Sequence, residues 1–192
     1  MQILHSYLSA LGIPIRPALA EQFNKFRLFS YKKGELLLVE GKIARSISFI
    51  VKGKVRHFYN IDGKEYTRWV SLENNFVTAF ISFVRQIPSN ENLECIENCE
   101  LLSISRDEFY QLKADFPEIQ TLWVQSLENE MIGYEERVRQ LITTDSEKRY
   151  LDFLESYPLH AQQIPQKYIA SMLGIEPRHL SRVRKKLAEG RK

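Results

Sequence analysis

Residues 164–187 read IPQKYIASMLGIEPRHLSRVRKKL, and this stretch decides how the C-terminal part of the chain folds. It predicts a helix, a sharp turn at Gly174 and a second helix that begins at Pro177. Glycine adopts a left-handed backbone at little cost, and proline suits the first turn of a helix, where its missing N–H would be unpaired anyway. The apolar side chains that can form one shared core are Ile169, Ala170, Leu173, Ile175, Leu180, Val183 and Leu187. This layout is typical of a helix-turn-helix that reads DNA.

The face that this core leaves over is strongly basic. Residues 166–192 contain eight basic and two acidic side chains, a net charge of +6; the whole chain carries +3, so residues 1–165 carry −3. Positive charge concentrated in this way is typical of nucleic-acid binding. The alternative is a solvated terminal helix that binds nothing. The predicted DNA-binding residues are Gln166, Lys167, Arg178, His179, Ser181, Arg182, Arg184 and Lys185.

Within this set we expect two roles. Arg178, His179 and Arg182 are expected to face base edges in a major groove, because arginine is the best-matched reader of guanine. Ser181 is a small neighbour that can contact either a base or a phosphate. The side chains expected to neutralise phosphates are Lys167, Arg184, Lys185 and Lys186.

Length and composition exclude several classes of protein. A chain of 192 residues with 44% hydrophobic content can bury one good core and a small second one. It contains neither an apolar run as long as a membrane span nor an N-terminal signal-peptide pattern. Cys95 and Cys99 do not make a disulfide framework, and on one expected strand they are too far apart to bridge easily. These features predict a cytoplasmic protein.

Residues 28–105 predict many short β-strands joined by turns. The expected strands lie within Phe29–Val39 (interrupted by a turn), Ile47–Val51, Val55–Tyr59, Tyr66–Val70, Glu94–Cys99 and Leu101–Ile104. Asp62-Gly63 is a strong hairpin signal, and near-regular turn spacing favours a sandwich or barrel. Short flanking helices are expected at Ile3–Ser9, Ile15–Phe26 and Asp107–Ala114.

A long helix is expected from about Glu118 to Ile142, directly after Pro117. Its apolar residues are spaced alternately three and four apart, which is the pattern of a helix that packs against another helix. We expect two copies of the chain to pair in parallel along this seam; the alternative is that the helix packs on its own β domain. The expected dimer interface is Val124, Leu127, Met131, Tyr134, Val138 and Leu141.

A domain boundary is expected at residues 143–146. Thr144 followed by Glu147 has the pattern of a capping box that opens a helix over Ser146–Tyr157, and Pro158 is expected to end it. With the helix-turn-helix, this gives a C-terminal domain of three helices. The expected domains are 1–116, 117–143 and 144–192.

From about Phe26 to Leu187 the chain resembles the Crp/Fnr family of bacterial transcription regulators. The motifs that carry the resemblance are YKKGE at 31–35, EG at 40–41, FIVKGKV at 49–55, DGKE at 62–65 and LSR at 180–182. The resemblance implies an α+β fold: an N-terminal β-roll (a double-stranded, jelly-roll-like β-helix) with flanking helices, a long dimerisation helix and an all-α helix-turn-helix domain. It also implies a homodimer on near-palindromic double-stranded DNA, with RNA polymerase as a further candidate partner. Regulation would be a change in the angle between domains near Thr143–Ser146.

The chain departs from the family at the nucleotide site. Cyclic-nucleotide binders of the family carry a Gly-Glu pair and an Arg-Ser pair, and these positions fall on Thr78-Ala79 and Ser89-Asn90 here. A buried phosphate without a cation is strongly unfavourable, so we do not expect binding of cyclic AMP. The domain binds another small molecule or is an unliganded scaffold. The residues that would line such a pocket are Phe76, Thr78, Ala79, Phe80, Ser89 and Asn90.

No resident cofactor or enzymatic activity is expected. Two cysteines cannot hold an iron–sulfur cluster, and the histidines lack metal-ligand spacing. Haem ligation by His57 has no supporting residue, and the sequence lacks a nucleophile–base pair or a phosphate-cradling loop. An alternative function is a ligand-binding β-roll that docks a partner protein; DNA binding, unlike such docking, should weaken steeply with salt.

The DNA-binding end departs from the family as well. Relatives usually carry a β-hairpin wing after the second helix, whereas only five residues follow Leu187 in this sequence. We therefore expect Arg191, Lys192 and the start of the first helix to supply the phosphate contacts of the wing.

Overall fold

Two antiparallel β-sheets form the centre of the N-terminal part. The structure is a computed structural model that describes residues 2–189. Its strands are β1 (Arg27–Tyr31), β2 (Leu36–Leu38), β3 (Ser46–Lys52), β4 (Val55–Ile61), β5 (Lys64–Ser71), β6 (Phe76–Val77), β7 (Asn92–Cys95) and β8 (Cys99–Ser105). The first sheet has the order β1-β8-β3-β6 and the second the order β2-β7-β4-β5. The expected β-sheet core is confirmed.

Helices flank these sheets and make up the C-terminal part. They are α1 (Gln2–Ala10), α2 (Pro17–Gln22), α3 (Phe80–Arg85), α4 (Arg106–Asp115), α5 (Pro117–Thr143), α6 (Ser146–Ser156), α7 (Pro158–Gln163), α8 (Gln166–Met172) and α9 (Pro177–Glu189). The α+β class and the long helix are therefore confirmed. Across residues 2–189, every helix is too short or too polar to span a membrane.

Apolar and polar side chains alternate along β3, and this explains why one side of the first sheet is buried against the helices. Ile47 and Phe49 are buried among the helices, and the Phe49 ring lies 4.9 Å from that of Tyr7 on α1. Ser46 and Ser48 point the other way, toward the second sheet. Each large apolar side chain buried in this way stabilises the fold by roughly 1.5–3 kcal/mol.

The hairpin between β4 and β5 forms where the sequence predicts it. Asp62 and Gly63 both have a positive φ, of 51° and 78°, as a two-residue type I′ turn requires. Ile61 then pairs with Lys64 directly across the turn. The antiparallel pairing shifts register between Phe58 and His57 and then continues to Val55 opposite Ser71.

The expected strand Glu94–Cys99 is wrong, because the chain changes sheets within it. Cys95 ends β7 in the second sheet and Cys99 begins β8 in the first. Between them, the N–H of Ile96 donates to the Lys54 carbonyl at 3.0 Å. The two buried thiols interact across this turn, so the earlier argument from spacing along one strand does not apply. A hydrogen bond from Cys95 lowers the pKa of Cys99 and raises that of Cys95.

Two helix boundaries differ from the expected ones near prolines. The helix expected over Ile15–Phe26 starts only at Pro17, because the residue before a proline is held in extended backbone. It ends at Gln22, and the next three residues form a 3₁₀ turn. The helix that opens at Ser146 ends at Ser156, before Pro158, as expected. Pro158 is also the first residue of a further helix, α7, which the sequence reasoning missed. Residues 144–189 therefore hold four helices, not three.

The capping residue of α6 also differs from the prediction. Asp145, not Thr144, accepts from the N–H of Lys148, at 2.8 Å. The Thr144 hydroxyl donates to the Gln140 carbonyl at 2.7 Å, and this bond orients the Thr144 side chain toward the end of α5. The acceptor that reaches the first turn of α6 is therefore the Asp145 carboxylate.

A second buried cluster joins the C-terminal helices to β5. Val70 and Leu72 belong to the same apolar cluster as Phe153 of α6, Ile169 of α8 and Leu180 of α9. The C-terminal helices consequently pack directly on the second sheet. They are not separated from it by solvent.

Candidate functional site

The α8–α9 pair is built around a glycine turn. Gly174 has a φ of +62°, and the N–H of Ile175 donates to the Ala170 carbonyl at 2.9 Å to close the turn. α9 begins at Pro177, as the sequence predicts. The buried side chains that the two helices share are Ile169, Ala170, Leu173, Ile175, Leu180 and Val183.

One face of α9 is exposed and basic. Leu180 and Val183 hold the opposite face in the core, so the remaining side chains point to solvent. The predicted DNA-binding residues that are exposed are Gln166, Lys167, Arg178, Ser181, Arg182, Arg184 and Lys185. The structure thus brings all but one of the predicted set onto exposed positions of α8 and α9.

His179 is the exception. It is half-buried, and its Nε2 lies 2.8 Å from the Ser146 hydroxyl at the start of α6. Its Nδ1 lies 3.5 Å from an Arg182 nitrogen, within reach of a weak hydrogen bond. His179 is thus held against α6 beside Arg182. Helical phase alone does not reveal this, because Ser146 is far away in the sequence.

The two lysines of α9 differ in how closely an acidic side chain pairs with them. The Lys186 ammonium lies 3.0 Å from both carboxylate oxygens of Glu147, so part of its charge is neutralised within the protein. Lys185 lies 3.8 Å from Glu189, a looser pair in full contact with solvent. Arg191 and Lys192, which we expected to contact phosphates, lie outside the described residues.

The apolar seam of α5 is exposed in the single chain. Within α5 only Ile119 and Leu122 are buried, and both lie in its first two turns. Farther along, Met131 is 61% exposed and Val138 53%. The beginning of α5 therefore packs on its own β domain. Farther along, Tyr134 and Arg137 still contact Arg68 of that domain, while Met131 and Val138 remain exposed.

The α8 helix docks on the outer face of β4 and β5. The backbone N–H of Thr67 donates to the Ser171 hydroxyl at 2.8 Å. The Arg56 guanidinium lies 4.6 Å from the centre of the Tyr168 ring, and Arg56 is held in the sheet by ion pairs with Glu65 and Glu94. A buried cation over an aromatic ring contributes of the order of 1–2 kcal/mol. We call these contacts the α8–β5 interface.

Two arginines connect the interface to the neighbouring helices. Arg137 of α5 donates to the backbone carbonyls of Arg68 at 2.9 Å and of Met172 at 3.2 Å, and so bridges α5, β5 and α8. Arg149 of α6 donates to the Leu173 carbonyl at 3.1 Å and also to that of Thr144. The segment expected to act as a hinge is thus tied to the turn between α8 and α9.

A buried charge network lies where the roll meets α5. Arg68 Nε donates to a carboxylate oxygen of Glu91 at 3.0 Å, and Arg68 Nη2 donates to His57 Nδ1 at 2.9 Å. His57 Nε2 lies 3.1 Å from the Ser71 hydroxyl. Since Nδ1 accepts from an arginine, Nε2 carries the ring hydrogen and His57 is neutral. Arg68 also donates to the hydroxyl of Tyr134, which lies on the α5 seam.

The pKa values of these groups follow from their burial and neighbours. Burial lowers the pKa of His57, and its contact with Glu91 opposes this only in part. Burial by itself would raise the pKa of Glu91, but His57 and Arg68 together lower it below its ordinary value. The sequence reasoning missed this network, although a histidine and an arginine on the two strands of one predicted hairpin, His57 and Arg68, are a signal for it.

A cavity of about 730 Å³ opens between the two sheets. Strands of both sheets line it, together with the loop before β3 and the start of α4. The lining residues are Lys25, Arg27, Phe29, Tyr31, Leu37, Leu38, Ile43, Ala44, Arg45, Ser46, Ser48, Val77, Thr78, Leu93, Ser103, Ile104, Ser105 and Glu108. Its size is suitable for a small organic molecule.

The residues predicted to form a ligand pocket do not come together around this cavity. Only Thr78 lines it, and its hydroxyl donates to the Ser46 carbonyl at 2.9 Å. Phe76 lies on the opposite face of the sheet, with its ring 5.2 Å from that of Phe49. The Phe80 side chain is exposed, and its ring stacks on that of Trp123 with the ring centres 6.0 Å apart.

The other three predicted pocket residues are also engaged elsewhere or turned away. Ala79 is buried directly before α3. The Ser89 hydroxyl accepts from the Glu91 N–H and donates to its carbonyl, so it caps its own loop. Asn90 is exposed. Among residues 2–189 there is also no group of three or more histidine, cysteine or acidic side chains that could hold a metal ion.

Comparison with protein-family models gives one match, which falls on the β-sheet core. Residues 28–116 match the cyclic nucleotide-binding domain. The matched segment runs from β1 to the residue before α5 and includes the cavity and the charge network. We refer to it as the cyclic nucleotide-binding-type domain. No curated protein matches the sequence significantly.

Solved structures share the fold beyond this domain. A CooA variant from Carboxydothermus hydrogenoformans has a TM-score of 0.74 at 16% identity, over 87% of this chain and 78% of that one. FixK2 from Bradyrhizobium japonicum has a TM-score of 0.73 at 18% identity, over 86% and 85%. CLP of Xanthomonas campestris, described as a c-di-GMP-responsive global regulator, has 0.71 at 21%, over 91% and 93%. At such identities the likeness establishes the fold alone.

Proposed function

We propose that this chain is a non-enzymatic transcription regulator that binds DNA through a helix-turn-helix formed by α8 and α9. The observation that carries the proposal is the α8–α9 pair itself. A tight turn at Gly174 and a buried shared core leave a row of exposed cations, among them Arg178, Arg182 and Lys185, on one face of α9. A rigid helix with one cationic face suits insertion into a major groove. The regulator neighbours in the fold support the same function.

The DNA-bound form is a homodimer held by the α5 seam. One helix-turn-helix makes few contacts, whereas two at a fixed separation read both halves of a near-palindromic operator. Exposed Met131, Val138 and Leu141 supply an apolar stripe that a second copy would cover. In this arrangement residues 1–116 form the sensor domain, 117–143 the dimerisation helix and 144–192 the DNA-binding domain.

Cyclic AMP is not the effector in this proposal. The positions that would hold the nucleotide offer a buried alanine, Ala79, and a serine, Ser89, whose hydroxyl is used by its own loop. Arg85 is the nearest cation in sequence, but it is exposed at the end of α3. Neither pair of positions supplies a cation for a cyclic phosphate, and a buried phosphate without one costs several kcal/mol.

Selection of bound sequences from random DNA, followed by fluorescence anisotropy over a range of salt concentrations, tests the proposal. We expect a near-palindromic site, with an affinity that falls steeply as salt rises, because phosphate contacts release counterions. Arg182→Ala should cost about 1–3 kcal/mol and relax specificity at one base pair per half-site, whereas Lys185→Ala should weaken all sequences about equally.

Two results would contradict this function. Wild-type affinity in Arg182→Ala would show that α9 does not read bases. Absence of DNA binding, with a salt-insensitive protein partner instead, would favour the second candidate, a β-roll module that docks a protein. The exposed apolar side chains of α3, Phe80, Ile81 and Val84, are the observation that favours that candidate.

A further inference from the structure

The inward face of the first sheet is unusual because it carries hydroxyl groups. Residues that face inward between two packed sheets are normally apolar and fill the space between them. Here Ser46 and Ser48 of β3 and Ser103 and Ser105 of β8 face the second sheet and line the cavity. Ser48 and Ser103 bond to each other at 2.7 Å, so their hydroxyls lie side by side on this wall. These small side chains leave the interior open.

The opposite wall of the cavity is apolar. It is formed by Leu37 and Leu38 of β2 and by Leu93 of β7, and Phe29 of β1 lies at its edge. Phe29 is 44% exposed although it faces inward, because β1 and β2 are the edge strands of different sheets and the cavity opens between them. The cavity thus has one wall for hydrogen bonds and another for an apolar group.

The charges around the cavity favour an anion. Three cations line it, Lys25, Arg27 and Arg45, against a single acid, Glu108, which leaves a net charge of +2. Glu108 already accepts hydrogen bonds from the backbone and hydroxyl of Ser105. The Ser105 hydroxyl lowers the pKa of Glu108, which therefore stays ionised and committed to this contact. The three cations form no ion pair with another described residue.

We propose that this cavity binds a small amphipathic organic anion. The apolar body of the ligand packs against the leucine wall, the serine hydroxyls bond to its polar atoms, and its anionic group lies near Arg27 and Arg45. The site shares only Thr78 with the positions that a cyclic nucleotide would use. Occupation of the cavity is a separate property from DNA binding, so either can fail without the other.

The proposal is tested with 8-anilinonaphthalene-1-sulfonate, whose fluorescence rises when it leaves water, on the full chain. We expect one saturable site per chain and at least a tenfold loss of affinity in the double variant Arg27→Ala/Arg45→Ala. N-phenyl-1-naphthylamine, the same ring system without the sulfonate, should bind the double variant as it binds the wild type. Arg85→Ala, which removes an exposed arginine outside the cavity, is the matched control and should change neither affinity.

A second variant separates the cavity from exposed apolar helix faces. Ser103→Leu fills the hydroxyl wall and should abolish the binding of both dyes, whereas Ser30→Leu, on the other face of β1, should not. Dye binding that survives Ser103→Leu, or that is unchanged by loss of both arginines, contradicts the proposal. Thermal melting of each variant establishes that it is folded. Displacement of the sulfonate dye by cyclic AMP would contradict the proposal that cyclic AMP is not the effector, but not the anion site.

Discussion

At the scale of single residues, the neutral state of His57 is what lets Arg68 stay buried beside it. The ring nitrogen Nδ1 accepts a hydrogen bond from Arg68, and protonation would remove this acceptor and place two cations side by side. Glu91 compensates for only one positive charge in this pocket. The network therefore depends on the charge state of a side chain that titrates near neutral pH.

His57 makes the stability of the protein fall as pH decreases below about 6.5, its ordinary pKa. The folded pKa is lower than the unfolded one, so the unfolded chain takes up a proton first. The contribution is complete above the unfolded pKa and is lost as pH falls through the folded one. His57→Gln, which bonds but does not titrate, should flatten the dependence of unfolding free energy on pH, measured by urea denaturation between pH 5 and 7.5.

A second histidine provides the comparison. Burial also lowers the pKa of His160, so a residual slope in His57→Gln is expected to disappear when His160 is replaced as well. The lowered pKa of Glu91 adds a further loss of folding stability only below about pH 4.5, its ordinary pKa. A wild-type slope in His57→Gln would show that the ring is not buried in its neutral form.

At the scale of elements, α5 is notable because much of its apolar seam is exposed to solvent. Its first two turns pack on α4, and the rest presents the seam to solvent. Covering one large apolar side chain contributes roughly 1.5–3 kcal/mol of stabilisation. In a twofold pair each seam position is buried once in each copy, so its contribution counts twice.

The double variant Met131→Glu/Val138→Glu should convert the proposed homodimer to a monomer. It removes apolar contact at two seam positions and brings like charges together across the pair. Sedimentation equilibrium should show the monomer mass, and affinity for a two-half-site operator should fall at least a hundredfold. Ile132→Glu is the control, because Ile132 is exposed on the same helix but lies off the seam. Dimers that persist in the double variant would exclude the seam as the interface.

Local signals in the sequence predict the elements well where one residue type has one physical effect. Gly174, Pro177 and the Asp62-Gly63 pair set their turns through backbone conformation alone, and the structure agrees at each. Prediction failed where side chains compete. The cap of α6 is Asp145, whereas the Thr144 side chain is held toward α5 by its bond to the Gln140 carbonyl. The spacing of Cys95 and Cys99 gave no sign that the chain changes sheets between them.

In the candidate site, too, local sequence patterns predict some features and not others. The exposure of Arg178 and Arg182 follows from helical phase, which the sequence contains. The contact of His179 with Ser146 and the serine-lined cavity depend on elements that are distant in the chain. Such contacts are fixed by tertiary packing, which no local pattern encodes.

At the scale of the whole molecule, Arg137 connects three parts of the chain. It lies half-buried between α5, β5 and α8, its pKa is lowered by burial, and backbone carbonyls of Arg68 and Met172 accept its hydrogen bonds. Removing it leaves these carbonyls without their partner, and a buried polar group left unsatisfied costs about 1–3 kcal/mol.

Arg137→Ala should lower the free energy of unfolding by about 2 kcal/mol and loosen the α8–β5 interface. Hydrogen–deuterium exchange should become faster in residues 166–175, and the fluorescence of Trp69, which packs on Tyr157, should change. Arg139→Ala removes an exposed arginine from the same helix and should do neither. Equal exchange in the two variants would mean that Arg137 does not hold α8 in place.

The α8–β5 interface also limits how this chain can be recombined. Tyr168 and Ser171 complete their contacts on Arg56 and Thr67, and Val70 and Leu72 finish the apolar cluster of the C-terminal helices. A fragment of those helices alone would carry a bare apolar surface and an open polar edge. The C-terminal helices can consequently be transferred to another protein only together with the β4–β5 hairpin. Exchange of these helices alone between proteins, which a free linker would permit, is excluded by this interface.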